Sequence, residues 1–501
     1  MKSPLLIKTK NKNKYFFSPS QKQFIINHPI LFHLIELHSN NTDLRLWINE
    51  LPCNDVEILP YGKFKKQEIE YYFQKFQFFK KNGFFDEVIL KEKISGTINA
   101  NDIEYSFYNT NRLVFEVTEN CNLNCKYCTF GAMYKKRKEN NKTDLNYELA
   151  INLISKILNN RNKSRYLNIG FYGGEPFLNF KFIEQVVQFA KNNSDNIRFS
   201  LTTNGTLLLK YIDFIVSNNF NLSVSLDGDY ECNSYRLFKN GNSSFDLVYN
   251  NLLTIKEKFP EYYEKKVFIN SVLHSKNSVQ NLHDFIKNKL NKIPEIININ
   301  PNDIDNNHKE EFEKIYCNTA ESIKNSENYS QLEKDFFNKL PDTKSLLKLY
   351  YNQYSNAYKD YNELMNYYIP KKITYNPTAT CFPFSKMIFV TAHGEILPCN
   401  TINHEYILGK ILKQKINIDF NAIAQKYNNI YDKIRNKCSN CYRAMNCVQC
   451  IFNLNLTNTN IKCNGFKNQK EYSDFLSLNL ESLEKNPLKY NKILNDLEFG
   501  E

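Results

Sequence analysis

The chain has 501 residues, 42% of them apolar, which is enough for a sizeable core and, on length alone, for about three domains. Its 65 Lys and Arg against 53 Asp and Glu give a net charge of +12, but the charge is spread out and no basic stripe with interleaved aromatics points to nucleic acid. Thirteen cysteines, an odd number at metal-like spacings, argue against a disulfide framework; no stretch approaches 18 apolar residues and the run Leu5 to Ile7 is too short for a signal segment, so the expectation is a cytoplasmic chain without membrane contact.

Residues 1–111 read as a small α+β domain. Lys14–Phe17 and Val56–Leu59 have strand character, and Pro29–His38 and Asp43–Leu51 have helical apolar spacing. Gln67–Lys81 predicts an aromatic-rich helix with Gly83 in the place of a C-cap. Val88–Leu90 and Ile103–Phe107 read as further strands. The order of elements is compatible with a winged-helix-like module, and equally with an ordinary scaffold domain.

Over residues 112–300 strands and helices alternate. Leu113–Thr118, Leu167–Tyr172, Ile197–Thr202, Leu222–Leu226, Val267–Val272 and Ile296–Ile299 are the predicted strands. Helices are predicted near Tyr147–Leu158, Phe180–Lys191, Leu207–Ser217, Phe245–Lys258 and Val279–Leu290. Repeated βα units predict an α/β fold, a partial (β/α)6 TIM-like barrel, with chemistry at the C-terminal ends of the strands.

The polar motifs fall at those ends. After the first strand comes Cys121-Asn122-Leu123-Asn124-Cys125-Lys126-Tyr127-Cys128. Three thiols on one loop leave a structural zinc site one ligand short, and suit a [4Fe–4S] cluster whose fourth iron stays open. The second strand ends in Gly173-Gly174-Glu175-Pro176, the third in Thr202-Thr203-Asn204-Gly205-Thr206 and the fourth in Ser225-Leu226-Asp227-Gly228, with Arg236 shortly after. Asn-Gly and Asp-Gly are also turn formers, so turn chemistry competes with ligand contact at Thr203, Asn204 and Asp227.

The C-x3-C-x2-C loop with Tyr127 before its last cysteine, followed by the Gly-Gly-Glu motif, resembles the radical S-adenosylmethionine superfamily. The resemblance implies that Cys121, Cys125 and Cys128 hold the catalytic cluster. It implies that Gly173, Gly174, Glu175 and Pro176 hold the amino group of S-adenosylmethionine. It further implies that Thr203, Asn204, Ser225, Asp227 and Arg236 contact its ribose and carboxylate. A flavodoxin- or ferredoxin-like reductant would supply the electron that yields a 5′-deoxyadenosyl radical.

Residues 301–375 read as a polar helical linker, helical over 347–368, without a chemical motif. Residues 376–470 hold seven cysteines: Cys381, Cys399, Cys438, Cys441, Cys447, Cys450 and Cys463, with Gly394 five positions before Cys399. Pairs at C-x2-C spacing also occur in zinc ribbons, but seven thiols do not divide into two four-cysteine sites. The run resembles the SPASM domain of enzymes that modify peptides and proteins. That implies two auxiliary [4Fe–4S] clusters, one on Cys381, Cys399 and Cys450, the other on Cys438, Cys441, Cys447 and Cys463. The first lacks a fourth thiolate and offers an open iron to a substrate thiolate. Cys53, Cys232 and Cys317 have no close thiol neighbours in sequence. Residues 471–501 read as one or two C-terminal helices, broken near Pro487.

The resemblance favours a peptide maturase that installs thioether or carbon–carbon crosslinks in a ribosomally synthesised precursor peptide, whose leader residues 1–111 would hold. Sulfatase-maturating relatives place an aspartate general base directly after the second SPASM cysteine. Here that residue is Asn400, which cannot accept a proton at neutral pH. Sulfatase-type oxidation of a Cys or Ser is the alternative, and a non-catalytic iron–sulfur electron-transfer module is the alternative of another class.

Overall fold

The computed structural model describes residues 4–20, 23–26, 28–53, 55–134, 142–301, 304–336, 374–402, 404–413, 415–444, 447–454, 461–485 and 487. The helical stretch read over 347–368 and the part of the C-terminal stretch beyond 487 lie outside these residues.

Strands β1 (Leu5–Lys8), β2 (Lys14–Ser18) and β3 (Gln23–Ile26) form an antiparallel sheet in that order. Helix α1 (Pro29–Ser39) opens on a proline, whose missing N–H has no intrahelical partner to lose there. Helix α2 (Leu44–Asn49) is capped by Asp43, whose Oδ1 accepts from the N–H groups of Arg45 and Leu46. The hairpin β4 (Val56–Ile58) and β5 (Gly62–Phe64) leads into α3 (Lys66–Lys81). Ile30, Leu34, Ile48, Ile69 and Phe76 close a small core among these elements.

Two expected strands are helical. Leu90 opens the short helix α4 (Leu90–Lys93), so Val88–Leu90 is not a strand. Ile103–Phe107 lies inside α5 (Ala100–Tyr108). Ile103, Tyr105 and Phe107 alternate as a strand would, but Tyr105 is 63% exposed while Ile103 and Phe107 are fully buried. The true period is i, i+4, with Asn99 capping the Asp102 N–H at 2.9 Å and Phe107 packed edge-on against Phe384 and Phe420.

Six strands then lie parallel in chain order: β6 (Arg112–Thr118), β7 (Leu167–Gly173), β8 (Ile197–Thr203), β9 (Asn221–Ser225), β10 (Val267–Leu273) and β11 (Glu295–Asn298). Between them run α6 (Tyr147–Asn160), α7 (Phe180–Asn193), α8 (Leu208–Ser217), α9 (Phe245–Lys258), α10 (Pro260–Lys266) and α11 (Val279–Leu290). Parallel crossovers are right-handed, so strands laid in chain order put their helices on one face. That face is apolar, with Phe115, Val117, Ile169, Phe171, Leu201, Val224 and Ile269 in the common core. The alternate positions, Glu116, Asn168, Gly170, Ser200, Ser223 and Asn270, line the opposite face. This is the expected partial barrel.

The sheet does not stop at β6. Strand β12 (Ile388–Val390) pairs parallel with it, Phe389 opposite Val114, and β13 (Glu395–Leu397), β14 (Gly409–Ile411) and β15 (Ile416–Ile418) continue it antiparallel. The cysteine-rich region therefore shares one ten-stranded sheet with the barrel. After β11 come α12 (Lys309–Ile315), α13 (Thr319–Lys324) and α14 (Tyr329–Asp335); Asp335 anchors α14 to His283 and Lys287 of α11. Helix α15 (Phe420–Ser439) follows β15 and packs on α5. Helix α16 (Gln469–Lys485) lays Tyr472, Leu476 and Leu480 on Leu5, Ile7 and Phe17, so both ends of the described chain share one core. No helix among the described residues is long and apolar enough to cross a membrane.

Candidate active site

The loop after β6 is fixed by main-chain bonds. Asn124 N–H donates to Leu237 O at 2.7 Å, Lys126 N–H to Tyr235 O at 3.1 Å, and Cys128 N–H to Cys125 O at 3.1 Å. This brings Cys121, Cys125 and Cys128 within one another's electrostatic field. Burial pushes the Cys125 thiol up to about 12, against the pull of the Arg236 guanidinium. Iron binding must displace such protons, and donors stand ready to favour the thiolate. Leu123 N–H lies 3.4 Å from Cys121 Sγ, and Asn204 Nδ2 lies 3.7 Å from it.

The Gly-Gly-Glu turn is laced to the segment leading into this loop. Gly174 N–H donates to Thr118 O and Glu175 N–H to Asn120 O, each at 2.7 Å. Gly173 adopts φ +136°, and a Cβ at Gly174 would stand 2.1 Å from Asn120 O. The glycines are required here by the approach of two backbones. Glu175 is fully buried, and its carboxylate accepts from Thr203 Oγ1 at 2.7 Å, Asn204 N–H at 2.7 Å and Phe177 N–H at 3.2 Å. Burial raises its pKa to about 7 despite those three donors. Pro176 is buried behind it and opens a 3-10 turn over Pro176–Asn179.

Thr203 and Asn204 thus bind the Glu175 carboxylate. Asn204 Nδ2 also donates to Asn122 Oδ1 at 2.8 Å, and Asn122 Nδ2 to Thr206 Oγ1 at 2.8 Å, tying the end of β8 to the cysteine loop. Ser225 stands half-buried at the end of β9, in register with Asn270. Asp227 and Arg236 pair with each other, Nε to Oδ2 at 3.0 Å, both buried. Asp227 Oδ2 also accepts from the Tyr127 hydroxyl and lies 3.7 Å from His274 Nε2, while Oδ1 accepts from Val272 N–H at 2.8 Å. Burial would raise the Asp227 pKa, but Arg236, His274 and Tyr127 hold it below the usual carboxylate value.

His274 and the Tyr127 hydroxyl were not among the residues picked from the sequence. His274 directly follows β10, and the end of a barrel strand is the signal that would have found it.

The seven later cysteines lie in two neighbourhoods. Cys450 feels the charges of Cys381 and Cys399; Cys438 feels those of Cys447, Cys441 and Cys463. The second group lines a small cavity of about 20 Å³ together with Arg443, whose buried Nε has no hydrogen-bond partner among the described residues. Backbone N–H groups point at sulfur here too, Gln449 to Cys447 and Lys467 to Cys441, each at 3.4 Å. Four thiols on one small cavity, two of them with backbone donors aimed at sulfur, are a donor set that an iron–sulfur cluster fits. Cys53, Cys232 and Cys317 lie apart from both groups: Cys53 is exposed, Cys232 packs against Gly228, and Cys317 packs near Ile323 and Leu332.

The Radical SAM superfamily profile matches residues 115–288, the span from β6 to α11. The radical SAM cyclopropyl synthase TigE of Paramaledivibacter caminithermalis is 31% identical over 199 residues, covering 37% of this chain and 41% of that protein. The cysteine-type anaerobic sulfatase-maturating enzyme of Clostridium novyi is 26% identical over 385 residues, covering 71% of this chain and 92% of that protein. Among solved structures, native anSMEcpe with bound AdoMet and Kp18Cys peptide superposes with a TM-score of 0.52 at 20% identity, covering 77% of this chain and 99% of that one, a likeness of fold.

Proposed function

We propose that the chain, whose residues 115–288 match the Radical SAM superfamily profile, cleaves S-adenosylmethionine reductively and abstracts hydrogen from a peptide, installing a thioether or carbon–carbon crosslink in a ribosomally synthesised precursor. The observation that carries this reading is the Cys121, Cys125 and Cys128 loop bonded to the ends of β7, β8 and β9. Cys121, Cys125 and Cys128 would hold one [4Fe–4S] cluster, and the two later groups the auxiliary clusters. When bound, the first cluster supplies the electron that turns S-adenosylmethionine into a 5′-deoxyadenosyl radical.

The chain's own residues would position the cofactor. Glu175 is engaged by Thr203, Asn204 and Phe177, so Gly173, Gly174, Glu175 and Pro176 would hold the cofactor's amino group through their backbone. Ser225 and the outer atoms of Thr203 and Asn204 would meet its ribose and carboxylate. Asp227 and Arg236 neutralise each other behind Tyr127, and so act on the loop from below. Residues 1–111 end one sheet on the edge strand β3, which a leader peptide could extend as a further strand. A flavodoxin- or ferredoxin-like protein is the proposed reductant.

Asn400, beside Cys399, lacks a basic atom for sulfatase-type chemistry, which favours the crosslinking reading. The second reading, oxidation of a Cys or Ser in a sulfatase, is favoured by the length of the match to the Clostridium novyi enzyme. The test is anaerobic incubation of the reconstituted protein with S-adenosylmethionine, dithionite and Cys-containing peptides. Formation of 5′-deoxyadenosine is expected; its absence sinks both readings. Mass spectrometry separates them, since a crosslink removes hydrogen and keeps every sulfur, whereas conversion of a Cys side chain to an aldehyde loses sulfur.

A further inference from the structure

Helix α15 presents one buried stripe, Ile423, Ala424, Tyr427, Tyr431 and Ile434, and Cys438 continues it at the helix end. The stripe is apolar except for its tyrosines. Tyr427 is 0% exposed, packed edge-on against Phe452 at 5.5 Å and against Tyr431 at 6.3 Å. Among the described residues its hydroxyl has no hydrogen-bond partner. Leaving a buried hydroxyl unpaired is destabilising, and phenylalanine would give the same packing without that cost. Phe452, against which the ring packs, is two residues after Cys450, and Cys450, Cys381 and Cys399 all lie within electrostatic reach of the hydroxyl. These three thiols form the group that lacks a fourth cysteine, and the three cysteines outside the motifs lie elsewhere.

We propose that the Tyr427 phenol is a non-cysteine partner of the three-thiol auxiliary cluster, donating a hydrogen bond to one of its sulfurs. This rests on the assignment of an iron–sulfur cluster to Cys381, Cys399 and Cys450. Its physical consequence is specific. A hydrogen bond into a cluster stabilises the more negative, reduced form and raises the reduction potential. Tyr427 also stands eleven residues before Cys438 on the same helix, roughly 16 Å along its axis, so one rigid element carries a contact to each auxiliary group.

The test uses the full chain, anaerobically reconstituted, with Tyr427→Phe compared with the parent. Iron and sulfide content are measured first, with Cys381→Ala identifying the signal of the three-thiol cluster. The expected result is unchanged iron, a lower midpoint potential for that one signal, and loss of an exchangeable-proton coupling from its ENDOR spectrum. Stability gives a second, independent readout. Metal-free Tyr427→Phe should be at least as stable as the parent, because it loses only an unpaired group, whereas the loaded variant should be less stable than the loaded parent. Equal destabilisation of both forms, or an unmoved potential and proton coupling in protein that holds its iron, overturns the proposal and leaves the cluster assignment standing. If Cys381→Ala costs no iron, the assignment itself fails and the proposal fails with it.

Discussion

The hydroxyl of Tyr127 donates to Oδ2 of Asp227, joining the aromatic residue between two loop thiols to a fully buried carboxylate just beyond β9. Arg236 completes the arrangement, with its guanidinium carbon 5.5 Å from the Tyr127 ring centre. A buried charge pair is costly to break from one side, because the remaining ion stays desolvated. Asp227→Ala should therefore destabilise the protein by roughly 3–5 kcal/mol in urea unfolding. Asp227→Ala with Arg236→Met should recover part of that loss. A double variant no better than the single would show that Asp227 acts on Tyr127 and Val272 alone.

Tyr127→Phe leaves the ion pair intact and removes one donor to it. It should cost about 1 kcal/mol of stability. Loop residues that orient metal ligands from behind typically matter about 10–100-fold, so formation of 5′-deoxyadenosine should fall by that order with iron content retained. Unchanged turnover would reduce Tyr127 to a packing residue.

Glu175 gives a pH signature. Its folded pKa, about 7, lies above the ordinary carboxylate value of 4.5 because burial disfavours the charge. The folded state then binds the proton more tightly than the unfolded state. The contribution to stability is fully present below pH 4.5 and is lost as pH rises through 7. For this fully buried group the loss amounts to roughly 3 kcal/mol. Metal-free protein unfolded in urea between pH 5 and 8 should show this slope, and Glu175→Gln should flatten it. An equal slope in the variant would place the titrating group elsewhere.

Gly174→Ala tests the lacing of the two turns. The added methyl would meet Asn120 O, and the segment entering Cys121 would have to move. The expected outcome is loss of the iron held by Cys121, Cys125 and Cys128, with the two later groups still loaded, read by iron content and EPR. A fully loaded loop would show that the approach can relax without consequence.

Asp335 ties α14 to α11. Burial acts to raise its pKa, but Lys287, Gln331 and His283 outweigh that and hold it at about 2. A depressed carboxylate stabilises above its unfolded value of 3.8, and that contribution is lost as pH falls through 2. Asp335→Asn should speed amide exchange in α14 at neutral pH and lose the difference from the parent near pH 2. A difference that persists there would assign the effect to the amide's geometry.

The βα alternation of residues 112–300 was legible because each strand buries one face against helices and each helix shows its own period. The predicted and observed bounds there agree within two residues at almost every end. The cysteine groups were legible because thiols at fixed short spacings on loops have few other uses. Ile103–Phe107 misled because Tyr105 completes an alternation that solvent exposure breaks, and exposure is not written in a local pattern.

By itself, the sequence determined the barrel's element order, the three-thiol loop and the glycine turn, since all of these depend on local period or short spacing. Only the tertiary structure decided that Glu175 faces Thr203 and Asn204, that Arg236 answers Asp227, that β12 extends the barrel sheet at β6, and that α16 closes on β1. Each of those contacts joins segments brought together by the crossovers and the packing of separate faces. Tyr427 shows the difference most plainly: as a letter it is one more aromatic in a helical stripe, and only its buried hydroxyl, without a partner among the described residues and within electrostatic reach of three thiols, sets it apart.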